Sequence, residues 1–294
     1  MKVTKITKAD LDENNYYRHS ESIDVDGSIE IEGELGKVRF RGFLRAAGSI
    51  AATAGSEIEA GSWIEAGEWI EARGAIKAGE WIEARGAIKA GWGIEARGAI
   101  KAGGGIEAGS SIKAGLWIKA GSSIKAATMI KAGSWIEARG EIKAGSEIKA
   151  GDGIKAGWGI EAGSWIEAGS KIKAGSGIEA GSWIKAGSEI EAGSEIKAGW
   201  GIEAGSWIKA GSEIKAGDGI KAGSWIKAGS GIEAGLQISA KKTISAKLRI
   251  SAGICNWRNP LPEEMTITAQ RVEREVCYGV VKLLGTDPAN ATES

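Results

Sequence analysis

The sequence predicts an all-β fold: a single-stranded, three-sided parallel β-helix, or solenoid, with six-residue sides and about 18 residues per turn. Isoleucine stands at every sixth position from Ile58 to Ile250, which makes 33 isoleucines without a gap. Alanine follows each of them two residues later, from Ala60 to Ala252, and the next residue is most often glycine. A repeat this regular indicates one structural unit stacked many times.

The spacing within one unit predicts a short strand. Residues two apart project to the same side of a strand, so each isoleucine and its alanine point together and the charged residue between them points away. A helix would need apolar residues at spacings of three and four, which excludes it. The glycine after each alanine gives a corner where the backbone can take a positive φ without a Cβ penalty.

Stacking of these strands is required because a four-residue strand cannot bury its apolar side alone. Three sides of six residues close each turn, on the precedent of known hexapeptide coils. With that turn length, Glu59, Lys77, Glu95 and Lys113 stack in one outward column of alternating charge. Such opposite-charge neighbours stabilise a sheet by roughly 0.2–1 kcal/mol each.

Three regions are predicted along the chain. Residues 1–21 are polar and read as a flexible N-terminal arm. Residues 22–252 form the coil, with irregular first turns over 22–57 and regular turns over 58–252. Residues 253–294 form a C-terminal cap, in which one or two strands cover the end and Cys255 and Cys277 belong to the core, followed by a mobile tail.

Composition argues against several functions. Lys plus Arg equals Asp plus Glu at 38 each, without the basic excess of a nucleic-acid-binding protein. His19 is the single histidine, and it lies outside the coil. We therefore predict no enzymatic activity, no catalytic residues, no cofactor, no metal and no nucleic-acid partner. The sequence shows neither a secretory signal nor a run of about 18 apolar residues, so we expect a cytoplasmic protein without a membrane span.

The coil resembles the bactofilins, bacterial polymer-forming proteins, over roughly residues 22–252. Their six-residue sides carry aliphatic or small residues at the first and third places, as Ile23 and Val25 or Ile148 and Ala150 do here. The resemblance implies a right-handed coil and assembly into filaments.

A weaker similarity connects the repeat to the hexapeptide-repeat acyltransferases, which are left-handed coils. Their unit has a small residue two places before the aliphatic one, whereas this chain has residues such as Ser62, Glu80, Trp92 or Asp152 there. These enzymes also use a histidine base, and His19 is outside the coil. The pattern therefore fits this family less well.

Tryptophan is the outward-facing residue that gives information about a possible interaction surface. Nine of the 13 tryptophans directly precede a core isoleucine and point outward by parity. With three six-residue sides per turn, six of them share one face that we predict as a candidate interaction face: Trp63, Trp81, Trp117, Trp135, Trp207 and Trp225. Tryptophan is enriched in binding hot spots, and apolar patches mark interaction surfaces. Alternatively, each ring lies flat and shields the sheet; the positions of Trp92, Trp158 and Trp200 have no explanation in the sequence.

The sequence thus predicts a non-enzymatic structural or scaffolding rod that self-associates, either end to end, as the bactofilin resemblance implies, or side by side through the tryptophans. The alternative is a protein-binding module, such as an accessory or phage-borne inhibitor, that uses its charged and tryptophan-bearing faces.

Overall fold

The structure, a computed structural model, describes residues 2–254, 258–273 and 276–285. The chain divides into two compact units, Met1–Gly157 and Trp158–Ser294. Both are built from parallel strands, and the helical segments of the described residues are two 3₁₀ turns, Lys8–Asp10 and Pro262–Glu264. Within the described residues, no helix has the length and apolar character needed to cross a membrane.

The strands of the first unit are short, and most coincide with an Ile-x-Ala triplet. They are β1 (Val3–Ile6), β2 (Ile23–Val25), β3 (Ser28–Ile31), β4 (Gly36–Phe40), β5 (Leu44–Ala46), β6 (Ile50–Ala52), β7 (Ser56–Ala60), β8 (Ile64–Ala66), β9 (Ile70–Ala72), β10 (Ile76–Ala78), β11 (Ile82–Ala84), β12 (Ile88–Ala90), β13 (Ile94–Ala96), β14 (Ile100–Ala102), β15 (Ile106–Ala108), β16 (Ile112–Ala114), β17 (Ile118–Ala120), β18 (Ile124–Ala126), β19 (Met129–Ala132), β20 (Trp135–Ala138), β21 (Ile142–Ala144), β22 (Glu147–Ala150) and β23 (Gly153–Ala156).

The second unit continues the same strand pattern along the sequence. Its strands are β24 (Ile160–Ala162), β25 (Trp165–Ala168), β26 (Lys171–Ala174), β27 (Ile178–Ala180), β28 (Trp183–Ala186), β29 (Glu189–Ala192), β30 (Ile196–Ala198), β31 (Gly201–Ala204), β32 (Trp207–Ala210), β33 (Ile214–Ala216), β34 (Ile220–Ala222), β35 (Trp225–Ala228), β36 (Gly231–Ala234), β37 (Ile238–Ala240), β38 (Thr243–Ala246), β39 (Arg249–Ala252), β40 (Thr266–Ala269), β41 (Arg271–Glu273), β42 (Val276–Tyr278) and β43 (Val280–Leu283).

Each unit has three parallel sheets, and nearly every strand pairs with the strand three places on in the chain. In the first unit, sheet A runs β1-β3-β6-β9-β12-β15-β18-β21, sheet B runs β2-β5-β8-β11-β14-β17-β20-β23, and sheet C runs β4-β7-β10-β13-β16-β19-β22. In the second unit, sheet D runs β24-β27-β30-β33-β36-β39-β42, sheet E runs β25-β28-β31-β34-β37-β40-β43, and sheet F runs β26-β29-β32-β35-β38-β41.

The pairing register confirms the predicted length of a turn. In sheet C, Ile76 pairs with Ile94, the isoleucine three repeats further on, and the intervening Lys77 pairs with Glu95. The regular isoleucines are at most 1% exposed and their alanines at most 8%. Each turn therefore adds one layer of isoleucine and alanine to the core, and each buried isoleucine contributes roughly 1.5–3 kcal/mol before the entropy cost is counted. The handedness of the coil stays a prediction.

The glycines at the regular corners do not have a positive φ. Among the described residues, the glycines with positive φ are Gly36, Gly55, Gly253 and Gly279, and all four lie at irregular turns. At a regular corner the reason for glycine is close approach between turns. A Cβ atom on Gly79 would lie 1.8 Å from the carbonyl oxygen one turn back. The regular corners therefore do not use the positive φ that glycine permits, and steric space between stacked corners is what favours glycine there.

The first turns are longer than the regular ones. Ile29 pairs with Ile50, and Ile50 pairs with Ile70, so both steps exceed the regular step from Ile76 to Ile94. The extra residues are accommodated where Ser56, fully buried, accepts a hydrogen bond from the Leu35 amide at 3.2 Å and donates one to the Glu32 carbonyl at 2.7 Å. These two bonds satisfy polar backbone groups that the longer turn leaves unpaired.

The N-terminal segment is not the flexible arm that the sequence predicts for residues 1–21. Strand β1 pairs in parallel with β3 over its four residues, from Val3 opposite Ser28 to Ile6 opposite Ile31. Further on, the Tyr17 amide donates to the Arg39 carbonyl at 2.8 Å and so covers the outer edge of β4. The segment stays ordered because an uncovered first turn would leave its backbone groups unpaired.

The C-terminal region also differs from the predicted cap. The four strands β40 to β43 pair in parallel with β37 to β40, so they prolong the three sheets of the second unit. The break is an insertion within one turn, since Ile238 pairs with Ile267, well beyond the position that the regular repeat would supply. Cys277, predicted as a core residue, is exposed in β42. Cys255 and the predicted mobile tail beyond residue 285 lie outside the described residues.

Candidate functional site: the tryptophan face

Four tryptophans of the first unit stand at equivalent positions on sheet B, directly before a core isoleucine. This set, which we call the tryptophan column, consists of Trp63, Trp81, Trp117 and Trp135 at the starts of β8, β11, β17 and β20. The register of sheet B aligns the core isoleucines that follow them. Each ring is half-buried. The structure therefore places these four predicted residues in one line on one sheet.

The start of the column is a continuous aromatic stack. Phe43 stacks on Trp63 with ring centroids 4.3 Å apart, and Trp63 stacks on Trp81 at 4.9 Å, with interplanar angles of 0° and 2°. Such pairs contribute about 0.5–1.5 kcal/mol beyond the area that they bury. One ring per turn is thus a stable arrangement on this sheet.

The end of the column shows a different arrangement. A Cβ atom on Gly153, one turn beyond Trp135, would lie 2.4 Å from the Trp135 ring, so the ring lies over that buried glycine. The Trp183 ring covers Gly201 in the same way, at 2.2 Å. The rings of these two tryptophans therefore cover the backbone of the next turn.

Between Trp81 and Trp117 the column carries Ala99 in place of a ring. A groove of about 520 Å³ opens there, and its lining includes Trp81, Ala99, Leu116 and Trp117 together with the charged residues Glu80, Arg97 and Lys101. Leu116 is 54% exposed. We call this groove the Ala99 slot. The slot is absent from the sequence-based predictions, although its signal is present in the sequence: Ala99 stands one predicted turn after Trp81 and one turn before Trp117.

A column of ion pairs runs beside the tryptophans on the same sheet. The Lys101 ammonium lies 2.5 Å from a Glu83 carboxylate oxygen, and Glu137 lies 3.2 Å from Lys119 and 3.5 Å from Lys155. The hydrogen bond from Lys119 is the main cause that lowers the pKa of Glu137. Exposed pairs of this kind contribute little stability, so their role is to set the charge pattern beside the rings.

The second unit has its own tryptophan pair on sheet F. Trp207 stacks on Trp225 with centroids 4.9 Å apart and planes 4° apart. On sheet E, Trp165 and Trp183 are less closely placed, at 6.3 Å. The six predicted face residues are thus four on sheet B and two on sheet F, each set aligned within its own unit.

The three tryptophans that the sequence left unexplained occupy corners. Trp92, Trp158 and Trp200, which we call the corner tryptophans, each have glycine on both sides and are 66%, 73% and 59% exposed. These rings project further into solvent than those of the tryptophan column, so they are prominent apolar groups on the surface.

The last strand, β43, offers a second apolar surface. It pairs with β40, placing Val281 beside Ile267 and Leu283 beside Ala269. Ile267 and Ala269 are fully buried, but Val281 is 42% and Leu283 is 63% exposed. Within the described residues, no strand pairs with the other edge of β43. Among the residues that the structure describes, this edge therefore has unpaired backbone groups.

The described residues contain no group of three or more His, Cys, Asp or Glu side chains placed to hold a metal ion. His19 has an exposed ring whose Nε2 lies 3.0 Å from an Asp10 carboxylate oxygen. The backbone amide of Thr7 is the main cause that lowers the pKa of Asp10. This pair belongs to the N-terminal turn that precedes the irregular coil.

The comparisons with known proteins give one family. The haemagglutinin-repeat model matches residues 20–79 and 83–154. Both matched segments lie in the first unit and together cover less than half of the chain. No curated protein and no solved structure matches the chain. The haemagglutinin repeat is a β-helix type of repeat, so the match agrees with the fold, and the resemblance to bactofilins stays a prediction.

Proposed function

We propose that this chain is a structural, non-enzymatic β-solenoid that self-associates. The observation that carries the proposal is the amount of aromatic surface on the outside of the coil, aligned in the tryptophan column and strongly exposed at the corners. Exposed tryptophans at this density resemble the centre of a protein interface, where aromatic residues are enriched.

Two routes of association are open to it. Side-by-side contact would bury the apolar part of sheet B around Trp81 and Trp117. End-to-end contact would extend sheet E by pairing the free edge of β43, whose apolar residues Val281 and Leu283 are exposed. Unpaired strand edges recruit other strands readily, which favours this second route as well.

The test is electron microscopy of the purified chain together with two variants. The first changes Trp63, Trp81, Trp117 and Trp135 to Ser. The matched control changes Trp69, Trp165 and Trp183, which stand at the same strand position on other sheets, to Ser. We expect filaments or sheets from the wild type and from the control, and dispersed particles from the first variant.

Assembly that persists in the first variant would refute the side-by-side route. The end-to-end route then predicts that Val281→Lys, which puts a charge on the open edge, disperses the assemblies. Discrete particles from the wild type at all concentrations would refute self-association itself.

The alternative function is a protein-binding, adhesin-like repeat that acts as a discrete particle. The match to the haemagglutinin repeat favours it. Under this alternative, the tryptophan column contacts a different protein, and the purified chain remains dispersed in the same experiment. In both cases we propose that the chain works by presenting surfaces, without chemistry of its own.

A further inference from the structure

The tryptophan column lacks one ring, and the missing ring defines a site. Phe43, Trp63 and Trp81 supply one ring in each successive turn, with centroid spacings of 4.3 and 4.9 Å. Trp117 follows Trp81 after two turns, so their positions are roughly 9.6 Å apart at the strand spacing of a sheet. One inserted ring would lie about 4.8 Å from each neighbour. That spacing is close to the one between Trp63 and Trp81.

The slot stays open because of the alanine at its floor. Where the next turn carries glycine, as at Gly153, the tryptophan ring lies down over it, and a Cβ atom there would come within 2.4 Å of the ring. Ala99 has that Cβ atom, which keeps the Trp81 ring from taking the same position. Trp81 instead stacks on Trp63, and its outer side remains free to contact another ring.

We propose that the Ala99 slot receives a corner tryptophan from a second copy of this chain. The proposal rests on the self-association proposed above and names its contact. Trp158, 73% exposed between Gly157 and Gly159, is the most exposed of the corner rings and has no neighbouring side chain in sequence to block its insertion. Once inserted, it would stack on two rings at once, which is how hot-spot aromatics contribute most of an interface's affinity.

This contact joins two different surfaces, the slot of one copy and the corner of another. Such a heterologous contact can repeat from copy to copy, and it generates an extended assembly where the rotation between copies does not close a ring. It also gives the corner tryptophans a role that shielding of the sheet cannot give them, since they project away from it.

The experiment fills the slot with a ring from the chain itself. In Ala99→Trp the new side chain takes the place of the incoming ring. In the triple variant W92S/W158S/W200S the incoming rings are removed. Ala87→Trp is the matched control, because Ala87 stands at the same strand position on sheet A, one turn beyond Trp69. Sedimentation velocity over a range of concentrations measures association, and circular dichroism checks folding.

We expect at least tenfold weaker association in Ala99→Trp and in the triple variant, and unchanged association in Ala87→Trp. Free N-acetyl-tryptophanamide should dissociate the wild type by occupying the slot. If Ala99→Trp melts at a lower temperature than the wild type, Ala99→Phe supplies a smaller ring for the same test.

Four results would overturn the inference. If the wild type assembles and Ala99→Trp assembles equally well, the slot is not the contact, while self-association stands. If the slot variant fails to assemble but the triple variant assembles normally, the occupant is not a corner tryptophan. If Ala87→Trp weakens association as much as Ala99→Trp, the effect is not specific to the slot. A wild type that stays monomeric refutes the proposed function, and the slot contact falls with it.

Discussion

The orientation of the repeat can be tested by placing the same side chain on neighbouring residues of one strand. In β19, Lys131 points outward and Ala132 points into the core, where it is 2% exposed. Ala132 lies between Ala114 and Ala150 in the alanine stack. Leucine at position 132 adds three carbons to a stack whose layers are about 4.8 Å apart, with no space beside the isoleucines.

The expected cost of Ala132→Leu is about 1–3 kcal/mol, the usual range for overpacking a core. For a unit of about 150 residues, each kcal/mol lowers the melting temperature by roughly 2–4 °C, so we expect a decrease of about 2–12 °C. Lys131→Leu should change stability by less than about 0.5 kcal/mol. It also removes a lysine whose register neighbours on both sides are lysines, Lys113 and Lys149, so like-charge repulsion decreases.

The assay is thermal and urea denaturation followed by circular dichroism, with both variants measured in the same buffer. Because long repeat arrays can lose two-state cooperativity, amide hydrogen exchange in β16, β19 and β22 supplies a local measure. Equal melting of the two variants, or a larger loss in Lys131→Leu, would refute the inward assignment of alanine and the core that depends on it.

Two further predictions concern the corners and the ion pairs. Gly151→Ala should destabilise the chain by about 1 kcal/mol in urea denaturation, because the new Cβ would lie 1.9 Å from the Gly133 carbonyl oxygen; a variant as stable as the wild type would contradict the steric explanation. Hydrogen bonds from Lys173 and then Lys209 lower the pKa of Glu191 below its ordinary value of 4.5. The stability that the ionised Glu191 contributes is therefore present above pH 4.5 and is lost as the pH falls through the folded-state pKa. Glu191→Gln should therefore be less stable than the wild type near neutral pH by up to about 1 kcal/mol per pair, and urea titrations should show the difference vanishing in acid; a difference that grows in acid would contradict this sign.

The regular part of the fold could be predicted from the sequence because one rule decides it. Isoleucine and alanine at positions two apart, repeated every six residues, admit a single inward face, and the register of Ile76 on Ile94 follows once three sides are assumed. The conformation of the corners could not be predicted this way. Glycine suits a corner with a positive φ, and it also suits a corner that lies close to the turn before it. The close approach of Gly79 to Gly61, which shows that the second reason applies, exists only after the turns stack.

The two ends were harder to predict for a related reason. Residues 1–21 are polar, and polarity predicts exposure, but a strand at the end of a sheet needs only backbone groups to pair. Thus β1 forms although Val3 and Ile6 are its only apolar residues. At the other end, the long step from Ile238 to Ile267 interrupts the six-residue repeat, so the sequence does not predict that the strands beyond it form further turns.

The tryptophans show that the position of a side chain depends on the neighbouring turn of the coil as well as on the local sequence. In three cases the residue one turn on accounts for the position of the ring. Followed by glycine, as Trp135 is by Gly153, the ring covers the sheet; followed by tryptophan, as Trp63 is, it joins a stack. Followed by alanine, as Trp69 on sheet A is by Ala87, the ring has no ring to contact one turn on, and Trp69 is 39% exposed. The same Trp-Ile-x triplet therefore yields a ring that covers the sheet, a ring in a stack or a ring beside an open groove, and the residue a full turn away differs between these cases.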